Sequence, residues 1–92
     1  MKYRIGTTKH FDRSVKKCKK RGLNMNLLQD IILQLETNGT VDKKYKPHKL
    51  VGKHIGKWEC HIQPDWLLVW EQNDYELILL MVDTGTHSDI FG

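Results

Sequence analysis

Apolar positions follow two regimes along the 92 residues. Between Phe11 and Leu35 they recur every three or four residues, as on a helix. From Trp58 onward they alternate or run together, as in strands. Phe11, Val15 and Cys18 form one helical stripe with lysines on the other faces, and Thr7 or Thr8 stands where an N-cap belongs. Gly22 falls just past the end of that stripe, and the basic residues before it suit a helix C-terminus. A second helix begins near Asn24 or Asn26, and Asn26 with Gln29 has capping-box spacing. Leu28, Ile31 and Leu35 line its apolar face, widened by Leu27 and Ile32, and Thr37-Asn38-Gly39 stops it. The two stretches predict a helical hairpin with one shared seam.

The residues around these helices read as strands. "KYRIG" predicts a short first strand ending at Gly6. "GKWECHIQ" (56–63) alternates, with Trp58, Cys60 and Ile62 on one face and Lys57, Glu59, His61 and Gln63 on the other. "WLLVWEQ" (66–72) and "YELILLMV" (75–82) read as buried strands joined through Asn73 and Asp74. Between the first two of these, Pro64 and Asp65 occupy the second and third positions of a tight turn, with His61 and Asp65 flanking its tip. The tail from Asp83 is predicted as loop. Thr40–Lys49 is a polar connection, long for a structureless link in so small a domain, and long ordered loops often carry function. The order of elements predicts a single α+β domain over residues 1–92, with an N-terminal strand and a two-helix hairpin packed on one face of an antiparallel sheet.

Charge adds a partner to this picture. All fifteen Lys and Arg lie between Lys2 and Lys57, against four acids, for a net +11. From Trp58 on there are seven acids and no Lys or Arg, for −7, and together these give the chain's +4. The Lys16–Arg21 cluster alone would pass for a solvated helix face. Lys43, Lys44, Lys46, Lys49, Lys53 and Lys57 extend the charge through a loop, which points to a polyanion, nucleic acid, on one surface. No apolar run approaches the roughly 18 residues of a membrane helix, and "MKYRIGTTKHF" lacks the apolar stretch of a secretory signal. The expectation is a cytoplasmic chain with no membrane partner. Cys18 and Cys60 are far apart in sequence and are expected as buried or half-buried thiols.

Five histidines carry the candidate chemistry. His10 lies beside lysines in a helix and His54 between glycines, and both read as surface residues. His48, His61 and His87 sit at strand edges or in loops among polar residues, and with Asp65 they form a candidate site. RNA supplies its own nucleophile, the ribose 2′-OH. Its cleavage needs a proton acceptor, charge stabilisation at phosphorus and a proton donor for the departing 5′-oxygen. Histidine suits both transfers because its ordinary pKa is about 6.5. A carboxylate such as Asp65 can orient or charge an imidazole. Lysines such as Lys46, Lys49 and Lys53 can supply positive charge. No H-x-x-x-H spacing or acidic cage favours the competing use, a metal site, so no metal or cofactor is called for. Trp58 and Trp70 read as core. Trp66, beside the turn, and Phe91, in the tail, are candidates for stacking on RNA bases.

Three segments in order, "YKPHKLVG", "ECHIQPDWLLVW" and "TGTHSDIFG", make the second half of the chain resemble the YafQ branch of the RelE/ParE superfamily of bacterial toxins. The two upstream helices fit that family's layout. The resemblance implies a type II toxin: a ribosome-dependent mRNA endonuclease (an mRNA interferase) that cuts at the decoding site without metal. It also implies a cognate antitoxin that blocks the toxin, and operator DNA bound through the antitoxin in their complex. Carried over by position, the family's site residues are His48, His61, Asp65, Trp66, His87 and Phe91. His87 is the expected general acid, with His48 or His61, together with Asp65, as base or phosphate stabiliser. One position departs: the family's usual arginine before "TGTH" is Asp83 here. A carboxylate there would repel phosphate. Either a lysine substitutes, or the toxin is weakened, or the residue was altered to make a toxic chain producible. A weakened or inactive relative that still binds antitoxin and ribosome is therefore the alternative. A gyrase-poisoning toxin on the same fold is a more distant option that the histidine set disfavours.

Overall fold

A computed structural model describes residues 2–92. Five strands, β1 (Arg4–Thr7), β2 (His48–Lys49), β3 (Trp58–Gln63), β4 (Trp66–Asn73) and β5 (Ile78–Gly85), form one sheet in the order β1-β5-β4-β3-β2. Helices α1 (Lys9–Lys20) and α2 (Met25–Asn38) follow β1, and a short α3 (His87–Phe91) closes the chain. The expected α+β architecture is present, with one difference at the sheet edge. β2, β3, β4 and β5 pair antiparallel, but β1 runs parallel to β5, so the sheet is mixed. The direction of β1 follows from what comes next. The Thr8 N–H bonds the Met81 carbonyl, and its hydroxyl accepts the Phe11 N–H at 3.0 Å, so the chain passes from the β5 edge straight into α1.

Local signals end the helices. Asn24 caps α2 by accepting the Asn26 N–H at 3.0 Å, so the helix starts at the earlier of the two expected positions and the Asn26–Gln29 pairing is not used. Gly39 closes it in the left-handed conformation at φ 72°, with its N–H on the Leu35 carbonyl. A Cβ at that position would lie 2.6 Å from the Tyr3 ring, so glycine also makes room for Tyr3. The tyrosine hydroxyl in turn donates to Asp74 at 2.8 Å, tying the N-terminus to the β4–β5 turn.

Both helices cover one sheet face. Phe11 and Cys18 from α1, and Leu28, Ile31 and Leu35 from α2, pack on Cys60, Ile62, Leu68, Trp70, Leu79 and Met81. Trp70 stacks on Trp58 with ring centroids 6.2 Å apart. Trp66 joins this core, which corrects its reading as a base-stacking residue. It is 2 % exposed, and its indole N–H donates to the Thr84 hydroxyl at 3.0 Å. Thr84 passes its own proton to the Leu67 carbonyl at 2.7 Å, so the Trp66 indole and the Thr84 hydroxyl are both satisfied. Period-two alternation sends Trp66, Leu68 and Trp70 to the helices and leaves the turn polar.

The long connection is ordered. Asp42 caps a 3-10 turn over Lys43–Tyr45, Lys46 takes a left-handed conformation at φ 53°, and His48–Lys49 then pair with β3. The tail, expected as loop, contains α3. Thr86 and Asp89 form a complete capping box in which each side chain accepts the other's backbone N–H.

Candidate active site

The strand alternation that buries Cys60 and Ile62 turns Glu59 and His61 to the sheet face away from the helices. β2 adds His48 beside Glu59, its direct cross-strand partner. The β3–β4 turn, closed by Gln63 pairing with Trp66, presents Asp65. α3, starting directly after β5, brings His87 to Asp65. Gly85 makes that junction possible: its φ is 152°, and a Cβ there would lie 2.7 Å from the Asp89 carboxylate.

Three histidines from three separate segments thus form a row. Ring centroids are 6.2 Å apart for His48 and His61 and 5.8 Å for His61 and His87. Phe91 continues the row 6.5 Å from His87, with His54 edge-on against it at 5.1 Å. Phe91 is 46 % exposed and so remains open for stacking. His54 is therefore more than a solvated side chain. A groove of about 420 Å³, lined by Lys44, Tyr45, Lys46, His61, Gln63 and Pro64, adjoins the row. Lys46 lines it and is exposed, as are Lys49 and Lys53, but the Lys49 ammonium lies 5.6 Å over the Trp58 ring, on the sheet face opposite His48 and Glu59.

Asp65 was expected with His48 or His61. Its partner is His87: one Asp65 oxygen lies 2.6 Å from His87 Nδ1 and also accepts the His87 backbone N–H at 2.9 Å. These bonds, the backbone one foremost, hold the Asp65 carboxyl below the usual carboxylate range. His48 and His61 instead share Glu59, which the sequence reading did not single out. Glu59 Oε1 is 3.3 Å from His48 Nε2 and 3.8 Å from His61 Nε2. The signal available was the alternation that put Glu59 and His61 on one face of β3. A second omission was Arg21, at the end of α1, which pairs with the Asp89 carboxylate through both terminal nitrogens. This bidentate bond holds Asp89 well below the usual carboxylate range and ties α3 to α1. Among the described residues, no group of three or more His, Cys, Asp or Glu is arranged to hold a metal ion.

Asp83 turns toward α1. It sits at a β-bulge, where the β4–β5 register slips between Val69 and Trp70. Its oxygens accept from the Ser14 hydroxyl at 2.9 Å and the Thr84 N–H at 2.8 Å and lie 3.1 Å from His10 Nε2. His10 is thus a partner of Asp83, where a plain surface residue was expected. None of the hydrogen bonds or ion pairs of the three site histidines involves Asp83.

Known proteins resemble this chain over most of its length. Residues 3–92 match the sequence profile of a family described as "Bacterial toxin of type II toxin-antitoxin system, YafQ". The chain is 34 % identical over 83 residues to the mRNA interferase toxin YafQ of Escherichia coli K12, covering 89 % of this chain and 88 % of that protein. The crystal structure of YafQ from E. coli BL21(DE3) superposes with a TM-score of 0.90 at 31 % identity, over 98 % of this chain and 99 % of that one. YafQ in the E. coli DinJ–YafQ toxin–antitoxin complex gives a TM-score of 0.89 at 31 % identity, over the whole of both chains.

Proposed function

The chain belongs to the YafQ family of bacterial toxins of type II toxin–antitoxin systems, and on that premise we infer that it is a ribosome-dependent mRNA endonuclease working by histidine acid–base chemistry. The observation that carries the reading is the row of His48, His61 and His87 with the Asp65 carboxylate seated on His87. Asp65 takes up His87 Nδ1 and leaves Nε2 as the donating atom. In the reaction His48 or His61 accepts the 2′-OH proton as the 2′-oxygen bonds to phosphorus. The bond from phosphorus to the 5′-oxygen breaks, and His87 protonates that oxygen. The products are a 2′,3′-cyclic phosphate and a 5′-hydroxyl. Each proton transfer is worth on the order of 10²–10⁴ in rate. Lys46, Lys49 and Lys53 attract the RNA backbone, and Phe91 stacks on a base beside the cut. The partners are the ribosome with its mRNA, a cognate antitoxin, and operator DNA through the antitoxin complex. The solved complex of the E. coli relative with DinJ supports the second of these.

A second reading, a weakened relative that still binds antitoxin and ribosome, rests on Asp83. In-vitro translation of a defined mRNA with cuts mapped by primer extension separates the two. The endonuclease cuts, and His87→Ala abolishes the cuts. A wild-type chain that does not cut, with cutting restored by Asp83→Arg, establishes the weakened relative.

A further inference from the structure

Glu59 is the carboxylate that the acid–base scheme leaves unused. Its side chain is only 5 % exposed, although it lies beneath an otherwise open site. Its Oε2 is buried with no hydrogen-bond partner among the described residues, while Oε1 faces two imidazoles. Burying a carboxylate is costly unless an opposite charge sits beside it.

His48 is the side chain placed to meet it. Its Nδ1 lies 2.8 Å from the Lys46 carbonyl oxygen, and a carbonyl only accepts, so Nδ1 carries hydrogen. The left-handed turn at Lys46 brings that carbonyl to the ring. Nε2, the other nitrogen, faces the Glu59 carboxylate at 3.3 Å. Both nitrogens of His48 thus face acceptor atoms. His61 differs. Its Nε2 is 3.8 Å from the same oxygen, beyond hydrogen-bond length, and its ring stands between the other two histidines.

We propose that Glu59 is a positioning residue that divides the labour of the two histidines, fixing His48 as a doubly protonated cation beside the scissile phosphate and leaving His61 as the base for the 2′-OH. This deepens the endonuclease reading and rests on it. The proton account stays closed: His61 gains the 2′-OH proton, His87 gives one to the 5′-oxygen, and neither His48 nor Glu59 exchanges a proton with the RNA. His48 acts by charge alone.

The test has two independent arms. The first is nitrogen-15 NMR of the imidazoles in the full chain at neutral pH. His48 is expected to show both nitrogens protonated in the wild type and to become a neutral tautomer in Glu59→Gln, with amide dispersion reporting that the variant is folded. A neutral His48 in the wild type overturns the proposal, and this arm needs no variant to fold. The second arm is cleavage on programmed ribosomes. Glu59→Gln is expected to lower kcat about tenfold or more with KM unchanged. His48→Lys, which restores a cation, is expected to recover about tenfold over His48→Ala, whereas His61→Lys recovers nothing over His61→Ala. Equal failure of both lysine variants overturns the proposal. If the wild type cuts no mRNA, the endonuclease reading falls, while the His48 spectrum still judges the Glu59 contact.

Discussion

Asp65 and His87 stand 22 residues apart in sequence, yet a single Asp65 oxygen receives both the backbone N–H and the ring Nδ1 of His87. One atom therefore fixes where the residue starts its helix and which way its ring points. Asp65→Asn keeps an acceptor for the backbone but removes the charge. The cutting rate is expected to fall about tenfold, against roughly 10²–10⁴ for His87→Ala. Single-turnover cleavage on programmed ribosomes checks both values.

The Arg21–Asp89 pair anchors the helix that carries His87. Arg21→Ala is expected to cost about 1 kcal/mol or less of global stability, since the pair is partly solvated. It should nevertheless loosen α3 locally, seen as faster hydrogen exchange at the backbone amides of Ser88–Gly92. The pH dependence has a definite sign. The folded Asp89 pKa is depressed, so its contribution is complete above the unfolded carboxylate value near 3.9 and is lost as pH falls below that toward the folded value. Acid titration followed at the α3 amides should show fraying there, and Arg21→Ala should move that fraying to higher pH.

Trp66 and Phe91 separate by where they sit. Trp66→Ala opens a core cavity and is expected to cost about 3–5 kcal/mol, with any loss of cutting following from loss of fold. Phe91→Ala leaves stability within about 0.5 kcal/mol and is expected to weaken RNA engagement. Thermal melts beside cleavage assays distinguish the two.

Asp83 is held by Ser14, His10 and the Thr84 N–H. Asp83→Ala is therefore expected to destabilise the chain by about 1 kcal/mol, with less than a threefold change in cutting. A large gain in cutting would mean that the carboxylate acts on the phosphate after all.

Both cysteines are buried and free, and burial pushes the Cys60 thiol up to about 12, with Cys18 raised for the same reason. Neither should react with an alkylating reagent at neutral pH in the native chain, and both should react on unfolding, as mass spectrometry of the labelled protein would show.

Much of the fold is legible in short windows. Phe11, Val15 and Cys18 at helical spacing, the β3 alternation and the Pro64-Asp65 turn are local signals, and local backbone preference obeyed them. α3 was missed because five residues give no periodicity, although Thr86 and Asp89 spelled its capping box. Trp66 was misjudged because adjacency to a turn says nothing about the side of the pleat. The alternation with Leu68 and Trp70 was the better guide.

Which carboxylate meets which histidine was not legible. Asp65 lies four residues from His61 yet binds His87, and Glu59 collects His48 from a strand eleven residues earlier. The chain alone settles the residue types, the periodicities, the turn and the charge imbalance, because each depends on neighbours within a few positions. The tertiary structure decides the pairing of acids with imidazoles, the burial of Glu59 and the turning of Asp83 to α1. Those depend on which strands lie side by side, where a bulge falls and which sheet face the helices cover, and long-range packing alone sets all three.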